Sequence, residues 1–224
     1  MATHISDRPA RLRGRPPSTS LEEVASRALA LFVRRGFEQT TLDDVASALG
    51  VGRRTLFRYV ASKNDLVWGD FDAVLDRLRG SLADPRPGEA VMETLGRAVV
   101  ESNHYEGEAL EELRLRMRLI TTVPALQAHS MVRYRDWRGV VSEFIAARTG
   151  QAPDDLVPLI VGHMALGASM AAFERWVEHP DEDLEAHLRA GYAQLGLRFD
   201  QLPLNSGSVP DSSHARRSSS GTLT

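Results

Sequence analysis

From Ser20 onward, apolar side chains recur at the i, i+3, i+4, i+7 spacing of one helix face, and no alternating β-branched run is long enough for a strand. The expected fold is all-α, with about nine helices. The first opens at Ser20, with Glu23 placed to complete a capping box. It turns Val24, Ala28, Leu31 and Phe32 inward and stops at Gly36. Thr41 and Asp44 form a second capping box ahead of Val45, Ala46 and Leu49, and Gly50 follows the helix end. After Gly50-Val51-Gly52, a third helix is expected from Arg53 to about Val60, with Leu56 inward. Two short helices about a glycine turn, preceded by a longer one, make a helix-turn-helix unit.

Ser62 and Asp65 supply a third capping box, opening a long helix through Trp68, Phe71, Val74, Leu75 and Leu78 to Asp84-Pro85. Gly69 inside it costs helix propensity and points to close packing or a bend. Further helices are expected over 87–104, 107–121, 124–148, 154–178 and 182–199, punctuated by Pro85, Pro87, Pro124, Gly150, Pro153 and Pro180. Residues 1–19, with Pro9, Gly14, Pro16, Pro17 and four arginines, read as a flexible basic arm. The chain then divides into a helix-turn-helix domain over 20–66 and a helical ligand-binding and dimerisation domain over 67–200. A Ser-, Gly- and Pro-rich tail, expected to be disordered, occupies 201–224.

At 224 residues the chain can bury a sizeable core without a staple. The absence of cysteine rules out disulfides, thiolate metal sites and cysteine nucleophiles, and permits a reducing cytoplasm. Met1 to Arg15 is polar with no apolar h-region. The apolar stretch Leu156–Phe173 is interrupted by Pro158, Gly162, His163, Gly167 and Ser169 and flanked by Asp154, Asp155, Glu174 and Arg175. It reads as a buried or subunit-facing helix, so a soluble, cytoplasmic protein without a membrane partner is expected.

Charge is unevenly placed. Residues 1–63 hold eleven basic and six acidic side chains, whereas 64–224 hold sixteen and twenty-four. A basic front end on an acidic body suits phosphate neutralisation by one end of the molecule. The seven histidines are scattered, no metalloprotease, P-loop, dinucleotide or nucleophile-elbow motif occurs, and Asp183/His187 reads as a surface pair. No enzyme, metal site or cofactor is expected.

The segment TTLDDVASALGVGRRTLFRYVASKNDL, residues 40–66, resembles the DNA-binding domain of TetR-family regulators. It carries the T-x-x-x-[IV]-A pattern at Thr41 to Ala46 and the family's recognition core as TLFRYVASKNDL. With the first helix, the likeness covers the first third of the chain; the rest matches in length and helical character. SKNDLVWGDFD (62–72), ELRLRMRLI (112–120) and the Tyr134/Trp137 region further resemble the mycofactocin-system regulators, whose C-terminal domain is of an acyl-CoA-binding type. The resemblance implies a homodimeric repressor on a double-stranded, inverted-repeat operator, released by a small amphiphilic effector, with an acyl-CoA the candidate. The competing classes are a helical enzyme and a protein-binding module that keeps the fold without reading DNA.

The second short helix of such a unit enters the major groove, so side chains near its start reach base edges. Here they are Arg53 and Arg54. Arginine forks onto guanine O6 and N7, which discriminates against a wrong base by roughly 1–3 kcal/mol; the alternative is phosphate contact alone. Phe57 replaces the family's usual tyrosine, keeping a ring for a thymine methyl or sugar and losing a phosphate-bonding hydroxyl. Carried over by position, Thr41, Thr55 and Tyr59 would contact phosphates through their hydroxyls and Lys63, the only lysine, would meet the backbone. Thr41 could instead serve only as an N-cap and Tyr59 be partly core. Gly52 replaces the common serine and weakens the cap of that helix. Arg13-Gly14-Arg15-Pro16 resembles a minor-groove hook, against which stands a solvated tail.

For the effector, Trp68 and Phe71 could line a pocket or pack the core. Arg114 and Arg118 stand one helical turn apart beside the apolar stripe of Met117, with Arg116 on another face. Tyr134 and Trp137 lie near Arg133, Arg135 and Arg138. Arginines bordering an apolar cavity would suit a phosphorylated head and a fatty tail. Small residues along 162–172, with Leu166, Met170, Phe173, Leu188 and Tyr192, fit the family's four-helix dimer interface; an intramolecular core is the alternative.

Overall fold

A computed structural model describes residues 20–196. Among them are ten α-helices and no strand: α1 (Leu21–Arg35), α2 (Leu42–Leu49), α3 (Arg53–Leu56), α4 (Lys63–Trp68), α5 (Phe71–Ala83), α6 (Val91–Ser102), α7 (Gly107–Thr122), α8 (Pro124–Thr149), α9 (Leu156–Glu178) and α10 (Leu184–Gly196). The arm with its Arg13-Gly14-Arg15-Pro16 motif, and the tail, lie outside the described residues.

Local signals fix the helix starts. Ser20 Oγ accepts from Glu23 N at 3.1 Å, and Ser62 Oγ accepts from Asp65 N at 3.3 Å. Thr41 and Asp44 close both arms of a capping box. Leu56, fully buried, joins α3 to the apolar cluster that includes Val24, Phe32 and Val45. That helix is a single turn ending at Leu56, shorter than the expected run to Val60, and Gly52 offers it no side-chain cap.

The long helix expected from Ser62 to Asp84 is two helices. At Gly69 the backbone takes φ +59°, ψ −142°, a region that residues with a Cβ almost never occupy. Asp70 restarts the chain, its Oδ1 accepting from Ala73 N at 3.1 Å. A Cβ at Gly69 would sit 2.6 Å from Arg116 Nη1, so close packing and a break coincide there.

In the C-terminal domain α9 packs between α8 and α10, α10 also lies on α6, and α5 bridges α6 and α8. Gly96 permits the α6–α10 approach: a Cβ there would meet Tyr192 Cβ at 2.9 Å. By length and composition α9 could cross a membrane. Its face bearing Ala165, Ser169, Ala172, Phe173 and Trp176 is buried in the chain's own core, while Leu156 (72% exposed), Val157, Leu159 and Ile160 remain open.

Candidate DNA interface and effector cavity

The α2–α3 unit presents Gly52, Arg53, Arg54, Phe57 and Arg58 to solvent on one side and Leu56 to the core on the other. Phe57 is 44% exposed, its apolar ring largely open to solvent on this side. Arg53 Nη1 pairs with Asp43 Oδ2 at 3.1 Å and its guanidinium lies 5.5 Å from the Phe57 ring centroid. Arg54 and Arg58 have no ion-pair partner among the described residues. Thr55 and Tyr59 are half-buried, and Tyr59 packs partly on the core. Thr41 is exposed but occupied as a cap: its Oγ1 accepts from Asp44 N at 3.1 Å and donates to the Asp44 carboxylate, which also takes Thr41 N at 2.8 Å. These bonds hold the Asp44 carboxyl below its usual range. Lys63 Nζ donates to Phe37 O at 2.9 Å and stands over the Phe37 ring at 4.2 Å, tying α4 to the turn between α1 and α2.

A cavity of about 270 Å³ opens among α5, α7, α8 and α9, with Trp68 of α4 in its wall. It gathers Trp68, Phe71, Met117, Tyr134 and Trp137 of the expected ligand set. It does not gather Arg114 and Arg118. Arg114 is buried with its guanidinium 4.3 Å from the Trp176 ring centroid, donating to Trp176 O, and Arg118 faces solvent. The cavity's guanidiniums are Arg116 and Arg77, its carboxylates Glu22, Asp70 and Glu112. Arg116 donates to Val67 O at the end of α4, and Arg77 Nε donates to Ser102 O at 3.3 Å. Arg116 escaped sequence reasoning because helical phase, not residue type, decides which of Arg114, Arg116 and Arg118 faces the cavity, and Arg77 because nothing local marks which face of α5 the cavity adjoins.

Leu166, Met170 and Phe173, expected at a subunit interface, line this cavity instead. Leu188 (0% exposed) and Tyr192 (4%) sit inside the chain, where Tyr192 Oη donates to Ala165 O at 3.0 Å. The outward faces of α9 and α10 carry Gly167, Ala171, Ala186, Ala190 and Ala193. Expectation and structure differ because an apolar stripe announces a buried face without saying which partner covers it.

Asp65 joins the two domains. Its Oδ1 accepts from Arg133 Nη2 at 3.2 Å and lies 3.0 Å from His129 Nε2, both on α8, while its Oδ2 takes the Ser62 hydroxyl at 2.7 Å. Burial alone would raise the Asp65 carboxyl, but Ser62, His129 and Arg133 outweigh it and hold the group below the usual carboxylate range.

Comparison with known proteins agrees with this arrangement. Residues 24–67 match the family described as "Bacterial regulatory proteins, tetR family", and residues 89–200 match the MftR C-terminal domain. A Mycobacterium tuberculosis protein named as a mycofactocin biosynthesis transcriptional regulator, MftR, is 36% identical over 189 residues, spanning 84% of this chain and 96% of that one. The HTH-type transcriptional regulator TcmR of Streptomyces glaucescens is 29% identical over 182 residues, 78% of this chain and 80% of that one. In fold, the chain is similar to the fatty acid degradation regulator FadR of Bacillus halodurans, with TM-score 0.58 and 19% identity over 78% of this chain and 98% of that one. The chain belongs to the TetR family of DNA-binding transcriptional regulators, a non-enzymatic family. Within it, the chain carries a C-terminal domain of the MftR type.

Proposed function

We propose that this regulator is a homodimeric repressor that leaves an inverted-repeat operator when a small amphiphile, an acyl-CoA, seats its tail in the α5–α9 cavity. The observation carrying this reading is that Trp68 and the Arg116–Val67 O bond put the end of α4, the helix tied to the DNA-binding unit, in the cavity's own wall. A ligand there contacts the element whose position sets the reading head. The family fixes a small-molecule effector and the apolar floor of Phe71, Met117, Ile120, Trp137 and Phe173 favours a hydrocarbon tail. At about 270 Å³ the space is near the small end of ligand pockets, roughly 300–1,000 Å³, so a nucleotide head group stays outside at the mouth.

The candidate reading heads are Arg53 and Arg54, with Thr55, Phe57, Tyr59 and Lys63 beside them. For the dimer, the uncovered small-residue face of α9 and α10 replaces Leu188 and Tyr192 as the pairing surface, since Gly167, Ala171, Ala186, Ala190 and Ala193 are exposed and the space beside Gly167 is open. Two-fold pairing there demands a symmetric operator. Such a repressor works in the cytoplasm, beside its DNA. The test is fluorescence anisotropy with DNA from upstream of its own gene. Sequence-selective binding that C8–C18 acyl-CoAs reverse supports the reading; binding indifferent to sequence, or unmoved by every chain length, refutes it.

A further inference from the structure

We infer that the cavity recognises an uncharged hydrogen-bond acceptor, the carbonyl oxygen of an otherwise apolar effector, through the indole N–H of Trp68 and the hydroxyl of Tyr134. The inference rests on the cavity being the effector site.

Trp68 Nε1 and Tyr134 Oη are buried with no hydrogen-bond partner among the described residues. Both line the cavity, their rings perpendicular and 5.6 Å apart. Buried donors are nearly always satisfied, and an indole N–H can only donate, so an acceptor in the cavity completes Trp68. Trp68 is 6% exposed, which leaves bulk solvent little access to the group. Tyr134 Oη makes no hydrogen bond to its neighbour Ser130, whose hydroxyl donates to Leu126 O at 2.7 Å. Burial pushes the Tyr134 phenol up to about 12, so it keeps its proton and can donate at neutral pH. The two other unpartnered buried atoms, Arg114 Nε and His187 Nε2, sit beside carboxylates, Glu111 at 3.8 Å and Glu182 at 2.8 Å, and line no part of this cavity.

The surroundings select against an anion at this point. Arg116 is engaged by Val67 O, and Arg77 by Ser102 O and the Tyr105 hydroxyl. Glu22, Asp70 and Glu112 outnumber them. A carboxylate would therefore enter among three like charges against two guanidiniums that each already hold a backbone carbonyl, whereas a thioester, ester or ketone oxygen needs only two neutral donors.

The experiment is calorimetric titration of the full chain with two ligands that differ in one group: S-octanoyl-N-acetylcysteamine and the thioether in which CH2 replaces the carbonyl. The thioester is expected to bind at least about tenfold more tightly, the combined net yield of two neutral hydrogen bonds. Trp68→Phe and Tyr134→Phe should each reduce that preference, read as the ratio of thioester to thioether affinity within the same variant, about three- to tenfold. Equal wild-type affinities, which need no variant to measure, overturn the inference and leave the acyl-effector reading standing. So does a preference that survives both substitutions, or octanoate binding more tightly than the thioester. Binding of neither neutral ligand overturns this inference together with the reading beneath it.

Discussion

Gly69→Ala tests whether the α4–α5 break and the cavity arginine form one device. The native φ +59°, ψ −142° is close to glycine-only territory, where another residue costs on the order of 1–3 kcal/mol. The new Cβ would also stand 2.6 Å from Arg116 Nη1, 3.2 Å from Cζ and 3.3 Å from Nη2. The guanidinium must retreat, giving up its bond to Val67 O; a hydrogen bond from a charged group contributes roughly 1.5–3 kcal/mol. The whole cost is then roughly 2.5–6 kcal/mol, a large part of the 5–15 kcal/mol that holds a typical domain. In an Arg116→Ala background only the backbone share, about 1–3 kcal/mol, remains. Urea unfolding of the four proteins in this cycle, followed by far-UV circular dichroism, reads a coupling of about 2 kcal/mol. Equal costs of Gly69→Ala in both backgrounds, within about 0.5 kcal/mol, would show that the two sites are independent and refute the reasoning.

Arg54→Ala should cost more operator affinity than Arg53→Ala, roughly 1–3 kcal/mol, because Arg53 is already held by Asp43; a loss equal on scrambled DNA would reassign Arg54 to phosphate. Leu188→Ala should destabilise the chain by about 2–5 kcal/mol and leave the dimer dissociation constant unchanged, while Ala171→Arg should do the reverse. Analytical ultracentrifugation beside thermal melts separates the two, and a dimer indifferent to Ala171→Arg removes the pairing surface. Asp65 is held below its ordinary value, so its contribution is complete above about pH 4 and is lost as pH falls through the lower folded value. Asp65→Asn should therefore flatten the acid limb of a melting-temperature profile. His104 is raised by Glu185, so its contribution is complete below about pH 6.5 and is lost as pH rises through the folded value. His104→Gln should remove that decline, and a profile identical to wild type discounts the pair.

What the sequence made legible was local. Ser20, Thr41 and Ser62 announce helix starts because a cap is a contact three residues long, and Leu56 announces an inward face because Arg53, Arg54, Thr55 and Arg58 around it are polar. The position of Gly69 was legible too, but its consequence was not: a glycine inside an apolar periodicity does not reveal that Arg116, far along the chain, fills the space a Cβ would take. Asp70 three residues before Ala73 was the overlooked sign that a helix starts anew. Arg114 misled because a guanidinium on a long stem can be buried by stacking on an indole, and charge pattern alone places such a residue at a polar rim. Leu188 and Tyr192 misled because periodicity is silent on whether α9 and α10 cover each other or a second copy.

Switching poses a quantitative demand that the geometry of α4 meets only in pairs. Its six residues are held at three points: Lys63 to Phe37 O, Asp65 to His129 and Arg133, and Val67 O to Arg116. The first joins it to the DNA-binding unit, the other two to helices that wall or border the cavity. A ligand that draws Arg116 off Val67 O changes one charge-assisted bond, roughly 1.5–3 kcal/mol, whereas moving a regulator from 1% to 99% in one state takes about 5.5 kcal/mol of differential binding. One site falls short. In the proposed dimer, two sites acting on a symmetric pair of reading heads supply roughly 3–6 kcal/mol, which spans the requirement. Release curves should accordingly be sigmoidal in effector for the wild type and hyperbolic for a single-tether heterodimer carrying Arg116→Ala on one subunit. A heterodimer that lets go of DNA as completely and as steeply as the parent would mean that the Arg116 tether is not the coordinate the effector moves.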